Sequence, residues 1–518
     1  MAQTLMVAHI CAPDNAGGSR RRDRGALVLH FVRIPPETGP TLLPASVRTG
    51  VRELLCPKCH VRLRPTALFI IGGKTYWSAF PEEAELYDRA CDHKEDPFGS
   101  IIAGCRFMRQ VLDHLLLTAP DRAPSQEVPG TDEIAVVVPE SVADLAALHV
   151  DEAAECHGII SMDAITAPGL YVRRPPVFID DMHLPITQYA QPEAQHSLVQ
   201  RYERIRRSVL RDAILSDQGT VVTRGGALVT DSCIELLAHG LVPRGLEEAG
   251  PGRYRRSQSV SRVIEAPTLL LKRPWWRNYG HWLVDAAAML ALLRERMVGG
   301  FEQIAIGSPE LRKSREIVYE AISLLAPRMP VLEHPDTEVW RFTELHYVQP
   351  IQIPQLFKLP DALAALRRAV LGYDPAVAGH RRLFISRRHF PGRRLVNEAQ
   401  VIDVFKRYEF EVVFPEELGL LEQARLFASA SAVAGVKGAA LTNMVFCPPE
   451  AVVIVMSPID WPDLFFWDIA GQRNFAYYEL TGPLASETNV RGQNPFAIDL
   501  TKLEIALQNA LSEFGSRG

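Results

Sequence analysis

Short strand-like segments alternate with helical ones along the last third of the chain, and no other feature limits the possible folds as strongly. The strand-like segments are, in order, "RRLFISR", "FEVVF", "SAVAG", "AVVIVM" and "AYYEL". After the first, Asn397 is placed to cap a helix, and Val401, Val404, Phe405 and Tyr408 recur at the spacing of one helix face. Strands and helices that alternate in this way predict an α/β fold with a parallel, doubly wound sheet.

The same alternation continues upstream and predicts a second α/β half that faces the first. "WWRNYGHWLVDAAAMLALLRE" predicts a helix capped by Asn278, and "FEQIAIG", "SREIVYEAISLLA" and "RFTELHYVQ" read as strand, helix and strand. The charged run "SLVQRYERIRRSVLRDAIL" predicts one more helix, and "GTVVTRGGALVTD" (219–231) predicts a β-hairpin. The final "LTKLEIALQNALSEF" predicts an amphipathic helix that packs on either half.

At 518 residues, the chain is too long for a single core. "TAPDRAPSQEVPGTDE" (118–133) is rich in Pro, Ser and acidic residues, which is typical of a linker. We therefore divide the chain into an N-terminal module of unassigned role at 1–125, a linker with strands at 126–200, an N-terminal half at 201–360 and a C-terminal half at 361–518.

Composition excludes some classes of partner. A net charge of −5 argues against a nucleic-acid partner. No apolar run approaches the roughly 18 residues that span a bilayer, and the start of the chain lacks the basic region of a signal peptide. We therefore expect a cytoplasmic protein whose membrane contact, if any, is peripheral. The sequence does not indicate an oligomeric state.

The eight cysteines are scattered and do not suggest a disulfide framework. "CPKCH" contains half of a structural zinc site, which Cys91 and His93 would complete together with Cys56 and Cys59. The alternative is a set of buried, reduced thiols. A zinc ion here would be structural and remote from any chemistry.

Polar residues follow two of the predicted parallel strands. Arg387 comes after "RRLFIS", and "GVKGAALTN" (435–443) comes after "SAVA". Because ligands of such sheets bind at the carboxyl ends of the strands, these segments are candidates for two walls of one site. An arginine there suits bidentate capture of phosphate, and Lys437 beside the Gly438 amide adds a cation to a backbone cradle. The alternatives are a solvated basic loop and an ordinary glycine turn.

His281 and Asp285 share one face of the upstream helix, because they are four residues apart. The pair is typical of a carboxylate that orients an imidazole acting as a general base. The alternative is a histidine that only packs or caps near the helix start.

An ordered series of segments resembles glycosyltransferase family 61, the inverting, nucleotide-sugar-dependent transferases whose bacterial members are often labelled capsular polysaccharide biosynthesis proteins. The resemblance runs from the hairpin near residue 219 to about residue 480 and does not extend to residues 1–200. Its segments are "NYGHWLVD" (278–285), "RLFISRR" (382–388), "LVNEAQVIDVFKRYEFEVVFPEELGLLEQARLFASASAVAG" (395–435), "KGAALTNMVFCPP" (437–449) and "AVVIVMSP" (451–458).

The resemblance implies a GT-B-like fold of two Rossmann-like halves, with the nucleotide-sugar held mainly by the C-terminal half. The donor-binding residues carried over from the family are Ser386, Arg387, Glu422, Thr442 and Asn443. To these we add Lys437 and the amide of Gly438 for the diphosphate, with His281 as the base and Asp285 as its orienting carboxylate. Asp285 acting directly as the base is the alternative.

No convincing Asp-x-Asp motif is present, so we expect no metal and no cofactor apart from the donor. We expect an inverting transferase that moves a sugar to a glycan acceptor in surface or secreted polysaccharide synthesis. The alternative is a catalytically silent scaffold that binds nucleotide-sugar or glycan. Two departures from the family, together with the unmatched N-terminal module, keep this alternative open. Gly280 replaces an aromatic residue, which we expect to enlarge the acceptor side of the pocket, and Lys437 replaces a histidine.

Overall fold

A computed structural model describes residues 155–179, 198–236, 241–250, 253–353 and 357–515, apart from short gaps, and the backbone of six earlier strands. Most of the predicted linker at 118–133 lies outside the described residues. So do the four zinc candidates, Cys56, Cys59, Cys91 and His93. The zinc hypothesis therefore remains a prediction.

The strands form two large sheets and two short ribbons. In chain order they are β1 (Gln3–Cys11), β2 (Ala26–Ile34), β3 (Leu54–Leu55), β4 (Arg62–Ile71), β5 (Lys74–Pro81), β6 (Glu133–Val137), β7 (Ile159–Ala164), β8 (Gly169–Val172), β9 (Val177–Ile179), β10 (Val199–Tyr202), β11 (Arg206–Ser216), β12 (Thr220–Val222), β13 (Ala227–Val229), β14 (Leu246–Gly250), β15 (Arg253–Arg256), β16 (Arg262–Ile264), β17 (Thr268–Leu270), β18 (Gln303–Gly307), β19 (Val331–His334), β20 (Trp340–Val348), β21 (Gln352–Ile353), β22 (Phe357–Lys358), β23 (Arg381–Ile385), β24 (Phe410–Val413), β25 (Ala430–Val436), β26 (Val452–Pro458) and β27 (Ala476–Gly482).

The helices lie mainly between and beside the later strands. They are α1 (Tyr279–Trp282), α2 (Ala288–Glu295), α3 (Arg312–Leu325), α4 (Pro360–Leu371), α5 (Glu398–Arg407), α6 (Leu420–Ala428), α7 (Phe465–Gln472) and α8 (Leu500–Gly515), with a π-helical turn at Leu283–Ala287 and 3₁₀ helices at Thr230–Ser232, Pro415–Glu417 and Ala439–Phe446.

Sheet 1 contains the five parallel strands of the C-terminal third in the order β24-β23-β25-β26-β27. The chain moves from β23 to β24 on one side and then reverses to β25 on the other. This reversal confirms the predicted parallel α/β sheet, and it creates a switch point between the carboxyl ends of β23 and β25. The site described below lies at that point.

Sheet 1 continues beyond β27 with strands from much earlier in the chain. β9 pairs in parallel with β27, and β4 pairs in parallel with β9 through Leu68 and Val177. β5, β1 and β2 complete this edge of the sheet. The backbone of 62–71 therefore extends the sheet of the C-terminal half. The fourfold division of the chain remains a prediction.

Sheet 2 is mixed, with β20, β17, β18 and β19 parallel to one another and β11 antiparallel to β20. The helix predicted from "SLVQRYERIRRSVLRDAIL" is wrong, because this segment forms β10 and β11. β11 pairs along its length with β20, and these long-range hydrogen bonds override the local preference of a charged segment. The hairpin predicted at 219–231 is confirmed, with Val222 opposite Leu228.

Apolar side chains of several helices form one core that links the two halves. This core includes Leu290 of α2, Leu366 of α4, Phe427 of α6 and Trp467 of α7, each at most 3% exposed. Burying one such side chain stabilises the fold by about 1.5 to 3 kcal/mol. The terminal helix α8 packs against α5, β26 and β27, so it covers the C-terminal half.

The two predicted helix caps differ in outcome. Asn278 is confirmed, since its side-chain oxygen accepts a 2.8 Å hydrogen bond from the backbone N–H of Gly280. Asn397 occupies the N-cap position of α5 but makes no side-chain cap. Its amide instead exchanges hydrogen bonds of 2.8 and 3.1 Å with the backbone of Ile498, so it fastens α5 to the segment before α8.

Candidate active site

The two polar segments predicted to share one sheet edge are adjacent in the structure. Ile385, the last residue of β23, lies opposite Gly435 of β25. The residues that follow, Arg387 and Gly438, therefore leave the sheet side by side. In open α/β sheets the crevice at such a switch point is the usual ligand site.

Arg387 crosses directly over Gly438. A Cβ atom on Gly438 would lie 1.7 Å from Nη1 of Arg387, which no side chain could tolerate. The φ angle of Gly438 is 178°, an extended conformation open to any residue. The glycine is therefore required for space, since it lets the guanidinium lie across the turn.

A second arginine, Arg393, joins Arg387 at this edge. Nη1 of Arg393 donates a 2.9 Å hydrogen bond to the carbonyl of Lys437, and Nη2 of Arg387 donates a 3.4 Å bond to the carbonyl of Gly392. The Nε atoms of both arginines are buried without a hydrogen-bond partner among the described residues. Burial and the neighbouring Arg393 lower the pKa of Arg387 to about 10, so it stays charged at neutral pH.

No described carboxylate forms an ion pair with either guanidinium within 4 Å. Glu416 acts on Arg387, and Asp463 and Asp460 act on Arg393, only at longer range, so the N–H donors of these two adjacent cations are suited to bind an anion. Sequence reasoning did not single out Arg393. The one sequence feature that could have pointed to Arg393 is the run of five arginines between residues 382 and 394.

Lys437 does not join these arginines. Its Nζ donates 2.6 Å to a carboxylate oxygen of Glu479 on β27, 2.7 Å to the carbonyl of Asp463 and 3.4 Å to the carbonyl of Trp461, and the side chain is fully buried. The hypothesis that Lys437 supplies charge to a diphosphate does not fit this geometry, because Glu479 already neutralises the ammonium. Lys437 instead fastens the loop at 461–463 to the end of β25.

Ser386 lies beside Arg387, as predicted, but its hydroxyl is occupied. It donates a 2.7 Å hydrogen bond to Oε1 of Glu398, and the backbone N–H of Arg387 donates to the same oxygen at 3.2 Å. Ser386 and Glu398 therefore fix the start of the arginine loop. The position of Glu398 in the first turn of α5 was visible in the sequence, but its bond to Ser386 was not.

Glu422 and Asn443 stabilise helices and the joint between the halves. The carboxylate of Glu422 is exposed and accepts a 3.1 Å hydrogen bond from the backbone of Gly419, at the start of its own helix. The buried amide of Asn443 donates to Gln423 and accepts from the hydroxyl of Tyr279, each at 2.6 Å. Asn443 thus connects α6 in one half to α1 in the other.

The space beside Gly280 is filled by Thr442. A Cβ atom on Gly280 would lie 2.5 Å from Oγ1 of Thr442, which is itself fully buried. The expectation that Gly280 enlarges an acceptor pocket is therefore wrong. The glycine allows α1 to approach the 3₁₀ helix Ala439–Phe446 closely.

This 3₁₀ helix also sets the distance between the arginines and the His–Asp pair. Gly438 precedes its first residue and touches Arg387, while Thr442 touches Gly280, the residue before His281. At about 2 Å of rise per residue, Gly438 and Thr442 are about 8 Å apart along the helix axis. The 3₁₀ helix therefore connects the turn beneath Arg387 to the start of the helix that carries His281.

His281 and Asp285 lie together, and Gln352 lies between them. Nδ1 of His281 is 3.8 Å from Oδ2 of Asp285, which is beyond a direct hydrogen bond. Nε2 of Gln352 donates to that oxygen at 2.6 Å and is 3.5 Å from Nδ1 of His281. Asp285 sits in the π-helical turn, a distortion that is frequent at functional sites. Gln352 is 67 residues from Asp285, so no local sequence signal identified it.

Among the described residues, no group of three His, Cys, Asp or Glu side chains is arranged to hold a metal ion. Within the same part of the chain, no helix has both the length and the apolar character needed to cross a membrane.

The match to known proteins covers this site. Residues 279–454 match the family model described as Glycosyltransferase 61, and the stretch begins at α1, ends within β26 and includes His281, Asp285 and both arginines. The match supports assignment to the glycosyltransferases. Over these residues the chain is similar to glycosyltransferase family 61, in agreement with the resemblance found in the sequence. A comparison with the curated proteins found no match.

Proposed function

We propose that this glycosyltransferase is inverting and moves a sugar from a nucleotide-sugar donor to a glycan acceptor. The observation that carries the proposal is the pair of guanidiniums, Arg387 and Arg393, whose buried Nε groups lack partners at the switch point of sheet 1. A nucleotide diphosphate would give these N–H donors both a negative charge to pair with and oxygen atoms to accept their hydrogen bonds. The His281–Asp285 pair borders the same site from the other half.

The arginines stabilise the leaving group. When the bond between the anomeric carbon and the phosphate oxygen breaks, negative charge grows on the diphosphate. Charge-assisted hydrogen bonds from a partly buried arginine are stronger than neutral ones, and its planar fork matches phosphate geometry. Because two guanidiniums and the Gly438 amide supply positive charge, we propose that the departure of the diphosphate needs no divalent cation.

The base is assigned to His281. The acceptor hydroxyl attacks the anomeric carbon from the face opposite the diphosphate, and its proton passes to the imidazole. Because Nδ1 of His281 faces the Asp285 carboxylate 3.8 Å away, we propose Nε2 as the atom that accepts the proton. Direct proton acceptance by Asp285 is the alternative, and Asp285→Asn with intact His281 separates the two roles.

The two departures from the family that left the scaffold alternative open both have structural explanations. Lys437 has a structural ion pair with Glu479, and Gly280 has a close neighbour in Thr442. Neither departure argues against catalysis. We further propose a GT-B-like arrangement in which 201–360 binds the acceptor and 361–518 binds the donor, in a cytoplasmic enzyme of surface or secreted polysaccharide synthesis. The resemblance to the family supports this finer assignment.

The test is a calorimetric titration of the purified protein with a panel of nucleotide-sugars, combined with an assay for nucleotide release. We expect one donor to bind and to be hydrolysed slowly without acceptor, with or without a chelator. Arg387→Ala should weaken donor binding about 10-fold or more, because a hydrogen bond to a charged group contributes about 1.5 to 3 kcal/mol. Arg394→Ala, an exposed neighbour in the same loop, is the matched control and should bind normally. The proposal fails if no donor binds or if Arg387→Ala binds as wild type does.

A further inference from the structure

The segment between β20 and α4 carries the chain from sheet 2 to the C-terminal half, and it contains a small antiparallel ribbon. β21 and β22 form this ribbon, in which Gln352 and Lys358 are direct cross-strand partners. Side chains of such partners lie on the same face, with Cβ atoms about 4.5 to 5.5 Å apart. Because Gln352 contacts both His281 and Asp285, Lys358 projects from a position beside that pair.

The ammonium of Lys358 is fully buried and makes no hydrogen bond among the described residues. It lies 4.0 Å from the ring centroid of Phe465 and 3.7 Å from Oδ2 of Asp468. The Phe465 ring also contacts the His281 ring, with 5.4 Å between centroids. Removing an ammonium from water costs several kcal/mol, so a site retains one only where surrounding charge compensates.

Asp468 does not neutralise Lys358 by itself. Its Oδ1 accepts hydrogen bonds from Arg173 at 3.0 Å and from the hydroxyl of Tyr171 at 2.7 Å, and Arg173 and Asp468 are both fully buried. Arg173 and Lys358 therefore share this carboxylate. Among the described residues, Asp285 and Asp463 also face Lys358. Burial lowers the pKa of Lys358, and Asp468, Asp463 and Asp285 oppose that shift.

We propose that Lys358 is a positioning residue of the active site, whose buried positive charge lies beside the His281–Asp285 pair and keeps the His281 imidazole neutral. A lone carboxylate beside a histidine favours the imidazolium, which cannot accept a proton. The positive charge of Lys358 offsets that effect, while Gln352 holds Asp285 in place. The inference rests on the proposed function, because it assigns a task to the proposed base.

The direct test is an NMR titration of protein with carbon-13-labelled histidine, in which the His281 signal is assigned by its loss in His281→Asn. In Lys358→Met the titration midpoint of His281 should rise by about one pH unit, because a nearby cation has been removed. Lys358→Arg should restore the wild-type midpoint. The apparent pKa of the acid limb in the pH profile of kcat/KM should rise by the same amount as the His281 midpoint. A folded Lys358→Met protein with an unmoved His281 midpoint overturns the proposal.

A second variant changes the charge in the opposite direction. Asp468→Asn removes the anion that Lys358 and Arg173 share and makes the surroundings of His281 more positive, so the His281 midpoint should fall. If it rises or stays constant, the proposal is overturned even where Lys358→Met does not fold. The matched control is Lys272→Met, which removes another fully buried lysine, one that pairs with Asp336 at 2.5 Å. It should lower Tm and leave the His281 midpoint unchanged.

This design separates the inference from the proposed function. The NMR titration needs no donor, so its result stands even if no nucleotide-sugar binds and the proposed function fails. If wild type transfers sugar and Lys358→Met keeps both the wild-type acid limb and the wild-type His281 midpoint, only the inference fails.

Discussion

Lys437 and Arg387 are cations at the carboxyl edge of the same sheet, and their neighbours give them different roles. The ammonium of Lys437 turns toward Glu479, whose other carboxylate oxygen accepts a 2.8 Å hydrogen bond from Tyr477. The guanidinium of Arg387 meets no described carboxylate and lies over a glycine. The chemistry of each residue is therefore set by side chains from strands that are distant in sequence.

Lys437→Met should destabilise the fold. It leaves the buried Glu479 carboxylate without its cation, and breaking a buried pair in this way costs about 3 to 5 kcal/mol. Chemical denaturation of the variant measures the loss. Lys437→Met combined with Glu479→Gln should recover part of it, since the uncompensated charge is removed. If Lys437→Met is as stable as the wild-type protein, the ion pair with Glu479 does not stabilise the fold.

Gly438→Ala should weaken donor binding with a smaller effect on stability. The new methyl group occupies the place of Nη1 of Arg387 and displaces the guanidinium. Calorimetry with whichever nucleotide-sugar of the panel binds the wild-type protein measures the loss of affinity. Gly299→Ala is the control, because a Cβ at Gly299 meets no atom within 4 Å. Equal donor affinity in the two variants would show that Arg387 does not need the path over Gly438.

At the scale of elements, the close contact between α1 and the 3₁₀ helix Ala439–Phe446 positions the site. Gly280 and Thr442 form this contact, and Asn443 extends it by a hydrogen bond to Tyr279. The contact sets where His281 stands relative to the arginine loop. Small residues on both elements permit it.

Gly280→Ala should force α1 and the 3₁₀ helix apart. Overpacking a dense contact costs about 1 to 3 kcal/mol. Thr442→Ala added to Gly280→Ala removes the obstructing hydroxyl, so the double variant should recover most of the stability. Chemical denaturation of both variants measures the difference. Equal instability of the single and double variants would mean that Thr442 is not the obstacle.

The sequence predicted the elements better than their partners. Local periodicity was sufficient for the five parallel strands of the C-terminal third and for the cap at Asn278, because spacing and capping are local properties. It failed at β11, where pairing with β20 overrides the charged pattern. It also could not find Gln352 or Lys358, since a ribbon between two halves carries no periodic signal and its partners are distant in sequence.

At the scale of the whole molecule, the two halves are joined by a shared apolar core and by a buried polar connection. The hydroxyl of Tyr279 on α1 bonds to Asn443, which bonds to Gln423 on α6. Burial raises the pKa of Tyr279, so its hydroxyl remains a donor at any physiological pH. The connection spans residues of both predicted halves.

Tyr279→Phe should weaken this joint. It leaves the buried oxygen of Asn443 without a donor, which costs about 1 to 3 kcal/mol. The loss is measured by chemical denaturation. Tyr408→Phe is the matched control, because that hydroxyl bonds to Glu504 near the surface, where water can replace it. A larger effect in the control would contradict the role of Tyr279.

The pairing of β9 with β27 also bears on the order of synthesis. Tyr171, which precedes β9, bonds to Asp468, which precedes β27, and the two residues are 297 positions apart. As the chain leaves the ribosome, 177–179 emerge long before their neighbouring strand β27 exists. β9 can pair with the earlier strand β4 as soon as it emerges, but its other edge stays unpaired while most of sheet 2 is translated. The sheet of the C-terminal half can therefore close only after β27 has been translated, and the edge that carries the two arginines is completed late relative to β9.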